Sequence, residues 1–253
     1  MSVKRLDWPD WLLSTLWLVV IAFIWWMAVR LLHIPEYILP SPEQIVERVS
    51  SSPTYFGAAT AATLRVIAVG FMAGVAIAIP AGFAFARIQL LEKSLYPFVV
   101  FLQTMPLIAV TPVLIIWFGY GLVPTAILVG FSVLFPVLVN TVAAVKNISP
   151  RLYFVTSSMG ANALQTFRYV DWPMALPYFL SSFRISLALA TTTAVVGEFI
   201  AANAGLGYLA LRGVRNKDPV QVISVVLIAA LIGVLLNAAS VLVETKVLRK
   251  YRD

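Results

Sequence analysis

Few side chains in this sequence can do acid–base, nucleophilic or metal chemistry. Its 253 residues hold one histidine, His33, no cysteine, and 11 carboxylates against 18 Lys and Arg. The absence of cysteine excludes disulfides, thiolate zinc sites and cysteine-ligated iron–sulfur clusters, and a lone histidine cannot build a histidine metal cluster. There is no G-x-x-x-x-G-K-[ST] phosphate loop and no H-E-x-x-H. No Ser, His and Asp can converge, because His33 stands at the end of the first apolar run and reads as an interfacial side chain. Hydrolysis by this chain is not expected.

Three ionisable residues stand out because they fall within apolar runs, where a charge costs roughly 2.5–3.5 kcal/mol on insertion scales and usually faces a cavity or a partner. Glu198 follows Gly197 and the threonines Thr191, Thr192 and Thr193. Its carboxylate can hydrogen-bond beside a polar path or brace a gate. Arg65, near Thr63, and Arg184, among Ser181, Ser182 and Ser186, can attract anions or pair with Glu198; snorkelling or a buried ion pair is the plainer alternative for each. Pro80, Pro106, Pro112 and Pro136 interrupt apolar runs and free backbone carbonyls, which neighbours or cavity water must satisfy. Gln103, Thr104 and Thr111 flank two of these prolines and, with Thr192, are the residues expected to line a polar path. Met105, Trp117 and the phenylalanines are expected in the core or against lipid.

The elements that position these residues follow from composition. At 61% hydrophobic, 11% charged and mean hydropathy +0.93, the chain lies far from soluble proteins, in which about a quarter of residues are charged. Runs of about 20 apolar residues, the length that crosses a bilayer, extend over Trp11 to Leu32, Ala58 to Ala86, Leu95 to Phe118, Val123 to Val145, Met174 to Ala202 and Val220 to Leu242. These predict an all-α membrane protein of six transmembrane helices in a single domain, 1–253. The first run ends in Arg30, Leu31, Leu32 and His33 rather than a small-residue cleavage site, so it is expected to be retained. Ser41, Pro42 and the acidic turn after them predict a short interfacial helix carrying Ile45 and Val49. Gly70, Gly74, Ala78 and Gly82 recur every four residues, a face on which another backbone can approach closely.

Charge placement orients the spans. Lys4, Arg5, Arg87, Lys93, Lys146, Arg151, Arg168, Lys246, Arg249, Lys250 and Arg252 fall on one side, against Arg30, Arg48, Arg212, Arg215 and Lys217 on the other. The positive-inside rule then places both termini in the cytoplasm. It also explains the net charge of +7 without nucleic acid, since no basic run stands with aromatics on a soluble face.

The Gly119 to Leu122 connection is a tight turn, whereas 146–172 is long, mixed in polarity and suited to docking a partner. Ser149 and Pro150 open a helix there, Gly160 closes it, and Asn162 to Phe167 can form a second turn, giving a two-helix knob. From Phe154 onward it reads FVTSSMGANALQTFRYVDWP. This resembles the loop of the permease subunits of ATP-binding-cassette (ABC) importers, in which Glu-Ala-Ala precedes a glycine and Ile-x-Leu-Pro follows it. Aligned on Gly160, Val170 takes the Ile position, Trp172 the Leu position and Pro173 the proline, while Phe154, Val155 and Thr156 replace Glu-Ala-Ala. Leu39-Pro-Ser-Pro42, Pro112, Trp117-Phe118-Gly119, Gly197-Glu198 and Gly205-Leu206-Gly207-Tyr208 look like the nitrate, sulfonate, taurine and bicarbonate branch.

The resemblance implies a type I importer permease bundle in the inner membrane, working as a dimer of permeases with a cytoplasmic ABC ATPase dimer and an extracytoplasmic solute-binding protein. No cofactor is expected in this chain, with ATP and Mg2+ held by the ATPase. It implies that Thr156, Ser157, Ser158, Met159, Gly160, Ala161, Asn162, Ala163, Gln165 and Pro173 couple the permease to that ATPase. The expected solute is a small anion such as taurine, a sulfonate, nitrate or bicarbonate, with a vitamin or pyrimidine precursor as the alternative. A stand-alone secondary transporter or channel is the rival from another class, and only Glu198 offers it a coupling-ion acid.

Overall fold

The structure is a computed structural model and describes residues 10–249; Lys4, Arg5, Lys250 and Arg252, which entered the charge count above, lie outside them. Every regular element among the described residues is helical. In chain order they are α1 (Asp10–Leu31), α2 (Pro42–Ser51), α3 (Pro53–Arg87), α4 (Gln89–Thr104), a 3-10 turn (Leu107–Val110), α5 (Thr111–Phe118), α6 (Leu122–Lys146), α7 (Pro150–Ser158), α8 (Ala163–Thr166), a π-helical turn (Phe167–Asp171), α9 (Trp172–Ala201), α10 (Leu206–Arg215) and α11 (Pro219–Arg249).

Four unbroken helical stretches are long and apolar enough to cross a bilayer, namely α3, α6, the continuous run Ala163–Ala201 and α11. The run expected as one span from Leu95 to Phe118, interrupted by prolines, is a sharply broken one, with α4 and the Leu107–Phe118 segment meeting at 90°. Proline alone does not decide this. Pro80 and Pro136 lie inside unbroken helices, whereas Met105 and Pro106 are both extended, so the chain turns there. Pro112 sits in the first turn of α5, where its missing N–H costs nothing. The first apolar run forms the 22-residue α1, of which Val19–Leu31 is the described apolar part.

The core is a sandwich of α3, α6 and α9. Helix α6 packs along both of the others, which also touch each other directly, and 56% of its most apolar stretch is buried, against 17% for the peripheral α11. The α3–α6 contact uses the predicted glycine row. A Cβ at Gly70 would stand 2.6 Å from the Val129 Cβ, one at Gly74 2.6 Å from the Gly130 carbonyl, and one at Gly82 2.5 Å from the Thr141 Cβ. Helices this close gain dispersion contacts that lipid cannot supply. Leucines, valines and aromatics on α1, α4, α5 and α11 are left exposed, a surface that water would penalise and a bilayer would not.

The short helix predicted from Ser41 and Pro42 forms. Ser41 caps α2 in a reciprocal pair with Gln44, and Pro42 opens it. Trp26 Nε1 and Arg30 both donate to Glu43 Oε1, at 2.7 and 3.0 Å, tying α1 to α2. Arg48 pairs with Asp218 and so ties α2 to the turn before α11.

Candidate functional site

The 90° break faces the threonine run of α9. Between them lies a cavity of about 340 Å³ lined by Gln103, Met105, Leu107, Ile108, Thr111, Leu128, Thr192, Thr193, Val196 and Gly197. Of the residues expected on a polar path, Gln103, Thr111 and Thr192 meet here; Thr104 turns its hydroxyl to the Phe101 carbonyl at 2.8 Å instead. Met105, expected in the core or against lipid, lines the same cavity. Thr111 is fully buried and its Oγ1 has no partner. A buried hydroxyl without a partner costs about 1–3 kcal/mol, and at no exposure this one lies just behind the cavity surface. The lining is amide, hydroxyl, thioether and hydrocarbon, with no charged side chain among the described residues.

The two arginines lie elsewhere. Arg65 lines a separate cavity of about 210 Å³ with Gly121, Thr125 and Asn203. Arg184 donates from Nε to Asn237 Oδ1 at 3.1 Å. Neither meets Glu198, and the expected pairing gives way to neutral donors. Glu198 is fully buried, and its Oε2 accepts from Thr63 Oγ1 at 2.8 Å and from the Gly207 amide at 2.9 Å, while the Leu206 amide donates to the same Thr63 oxygen at 2.9 Å. Amides at the start of a helix favour a carboxylate, so Glu198 holds α10 against α3. Two glycines make room for it. Gly205 has φ +105°, and a Cβ there would overlap the carboxylate; one at Gly207 would lie 2.7 Å from the Glu198 Cβ.

At the opposite end of the bundle, α7 and α8 form the predicted knob. Gly160 at φ +72° closes α7, with its amide on the Ser157 carbonyl and the Ala161 amide on that of Thr156, both at 3.0 Å. Asn162 and Gln165 cap α8 reciprocally at 2.8 and 2.9 Å. The hydroxyls of Ser157 and Ser158 both donate to the Phe154 carbonyl, at 2.9 Å. Residues 152–167 carry no charge. Phe154, Met159 and Leu164 are 73%, 80% and 73% exposed, an apolar crest along the knob. Ala163 lies in the single turn of α8, and Pro173 in the first turn of α9.

One cluster escaped the sequence reading. Asp171, buried to 3% exposure in the π-helical turn, accepts from Tyr153 Oη at 2.8 Å and pairs with Arg87, whose guanidinium lies 4.8 Å from the Tyr153 ring centre. Burial, and then the bond to Asp171, push the Tyr153 phenol up to about 12, so it stays a donor. The signal was present, since Asp171 is the one acid between Lys146 and Trp172.

Comparison with known proteins gives the setting. Residues 70–253 match the family model "Binding-protein-dependent transport system inner membrane component". The chain is 37% identical over 210 residues to the riboflavin transport system permease protein of Chloroflexus aurantiacus, covering 82% of this chain and 78% of that one. It is 34% identical over 226 residues to the formylaminopyrimidine transport permease protein of Halalkalibacterium halodurans, 89% and 90% of the two chains. With the taurine transport system permease protein of Escherichia coli the identity is 32% over 199 residues, 76% and 72%. Among solved structures, the inward-facing MetNI methionine ABC transporter superposes with TM-score 0.66 at 18% identity over 78% of this chain and 98% of that one, a likeness of fold.

Proposed function

Given that the chain belongs to the binding-protein-dependent transport system inner membrane components, and is the multi-pass permease subunit of an ABC importer in the inner membrane, we propose how it carries and drives its solute. The route is the cavity at the break of α4 and α5. The observation that carries this reading is the meeting of Gln103, Thr111 and Thr192 around one space, with an unpartnered Thr111 hydroxyl among them. These residues come from two separate stretches of chain, Gln103 and Thr111 on either side of one break and Thr192 about eighty positions on, and hydrocarbon packing alone gives no reason for them to converge.

The drive comes from outside the chain. ATP and Mg2+ bind a partner ATPase dimer, the α7–α8 knob docks on it from the cytoplasmic side, and both termini lie on that side. A second copy of the permease closes the open flank of the cavity, and the far end, with α2 and α10, receives an extracytoplasmic solute-binding protein. Phe154, where the resembling loops have glutamate, makes this docking apolar.

The solute follows from the lining. A small anion in a low-dielectric cavity needs a counter-charge, and this cavity holds none. We therefore place a neutral, hydrogen-bonding heterocycle, as in the names of the riboflavin and formylaminopyrimidine relatives, ahead of the anion that the sequence charges suggest. Arg65, lining the neighbouring cavity with Asn203, is the observation that favours the anion.

Purification from native membranes in mild detergent, followed by an ATPase assay with and without the permease, tests the drive. A stoichiometric ATPase whose turnover depends on the permease is expected; a partnerless oligomer would turn the reading to a secondary transporter. Uptake into proteoliposomes of a radiolabelled pyrimidine against labelled taurine, with the associated binding protein, tests the solute.

A further inference from the structure

We propose that Arg87, Asp171 and Tyr153 form the joint through which movement of the α7–α8 knob reaches the far end of the bundle, with α3 and α9 as two arms of one rigid frame. The inference rests on the knob being the ATPase-docking element.

A single buried carboxylate joins three elements here. Asp171 lies where the knob runs into α9, Arg87 is the last residue of α3, and Tyr153 is on α7. The Arg87 guanidinium over the Tyr153 ring adds a second contact between α3 and α7. Phe83 of α3 packs on Phe167 of the π-helical turn at 5.0 Å and on Phe179 of α9 at 6.0 Å, so the polar joint is backed by aromatic packing. The turn that holds Asp171 is π-helical, a rare geometry that appears mostly as single turns within α-helices and frequently at functional sites.

The same two helices are clamped again at the other end, where Thr63 of α3 bonds Glu198 of α9. Thr63 and Arg87 are about 36 Å apart at 1.5 Å per residue, and α9 runs antiparallel beside α3 over a similar length. Two antiparallel helices fastened at both ends cannot slide past each other. A displacement delivered to Asp171 by Tyr153 therefore moves the frame as a unit, together with the α10 amides that Glu198 and Thr63 hold. The cavity lies between the frame and the broken helix: Thr192 and Val196 belong to α9, whereas Gln103 and Thr111 belong to α4 and α5, which neither clamp touches. Frame movement thus changes the cavity's access.

The chain has no cysteine, so a single Ile108→Cys reporter in the cavity can be labelled without background. The permease, reconstituted in nanodiscs with its co-purified ATPase, is exposed to a hydrophilic maleimide with and without MgATP. The reporter chain is expected to change its labelling rate about fivefold or more with MgATP, the scale of a typical coupling between sites. Because the Tyr153 hydroxyl and Asp171 face each other and not the exposed Phe154, Met159 and Leu164 crest that docks, adding Asp171→Asn or Tyr153→Phe should leave ATPase binding and hydrolysis in place but make labelling indifferent to MgATP, and the exchange Arg87→Asp with Asp171→Arg should restore part of the response. Tyr153→Phe keeps the ring under Arg87 and loses only a hydroxyl, so it guards against misfolding. Native-like labelling responses in both single variants would overturn the joint, as would loss of ATPase binding, which would make the cluster part of the docking surface. If the reporter chain alone binds no ATPase or ignores MgATP, the coupling reading falls first and the joint with it.

Discussion

Thr63 and Glu198, 135 positions apart in sequence, are joined by a 2.8 Å hydrogen bond in the interior, and the same threonine oxygen accepts the Leu206 amide at 2.9 Å. The hydroxyl passes one bond on as it receives another, so a single side chain fixes α3, α9 and α10 together. Thr63→Val removes both bonds and leaves a buried amide and carboxylate short of a partner, at about 1–3 kcal/mol each. Thermal unfolding in detergent is expected to show a lower Tm for Thr63→Val than for Thr63→Ser, which keeps the oxygen; equal values would show that the bonds add nothing.

Gly207 is predicted to be the least tolerant glycine of that corner. A Cβ would collide with the Val195 carbonyl as well as with Glu198. Overpacking of this kind costs about 1–3 kcal/mol or more, and here it also forces α10 away from the carboxylate. Gly57→Ala is the contrast, because nothing lies within 4 Å of its added methyl and an alanine gains about 0.5–1 kcal/mol within a helix. Yields of folded protein by size-exclusion chromatography should fall for Gly207→Ala and hold for Gly57→Ala.

Gly160 separates folding from coupling. Its surroundings are empty, so a larger side chain meets no atom, but φ +72° strains any β-branched residue by about 1–3 kcal/mol. Gly160→Val is expected to lower Tm only slightly, because the strain falls on the exposed knob and not on the packed core, and to weaken ATPase co-purification; full co-purification with normal uptake would remove the knob from the docking role.

Thr111→Val should split stability from transport in the other direction. Replacing a buried hydroxyl that has no partner by a methyl is neutral to stabilising, by up to about 1 kcal/mol. If the hydroxyl serves the solute, uptake falls while Tm holds or rises. A variant that transports normally would show that the orphan hydroxyl is packing.

The Tyr153 phenol carries a pH prediction. Burial, and the bond to Asp171, raise its pKa from 10.0 to about 12, so the folded state favours the protonated phenol. That contribution is whole below pH 10 and is lost as pH rises through 12. ATP-driven labelling changes should thus be flat with respect to this group across physiological pH. Ultraviolet titration of the native chain minus Tyr153→Phe should place the missing phenol near the upper end; a missing phenol near pH 10 would argue against the buried bond.

What could be read along the chain was whatever depends on local order. Apolar runs located the helices, Ser41-Pro42 set a cap that forms between residues three apart, Asn162 to Phe167 marked a second short turn, and the four-residue glycine spacing set the α3 face. The break after Thr104 was foreshadowed by Pro106, but equally by Pro80 and Pro136, which their helices absorb. A proline tells where a hydrogen bond is missing and not whether neighbours hold the helix together around the gap.

Pairings across the bundle were a different matter. One electrostatic expectation set Glu198 against Arg65 or Arg184, since opposite charges in an apolar medium attract; the fold gives Oε2 of the carboxylate a threonine and a helix-start amide instead, leaves its Oε1 without a partner, and leaves both arginines at other surfaces. Which donor wins depends on which helix faces are brought together, and period alone does not encode that. The sequence by itself determined that this chain lives in a bilayer, that it is helical, and where its knob lies, because hydrophobicity and turn chemistry act within a few residues. Only the tertiary structure decided that Gln103, Thr111 and Thr192 share one cavity and that Asp171 and Glu198 fasten the same two helices at opposite ends. Those relations join residues tens to more than a hundred positions apart, and close packing of the α3, α6 and α9 core selects them.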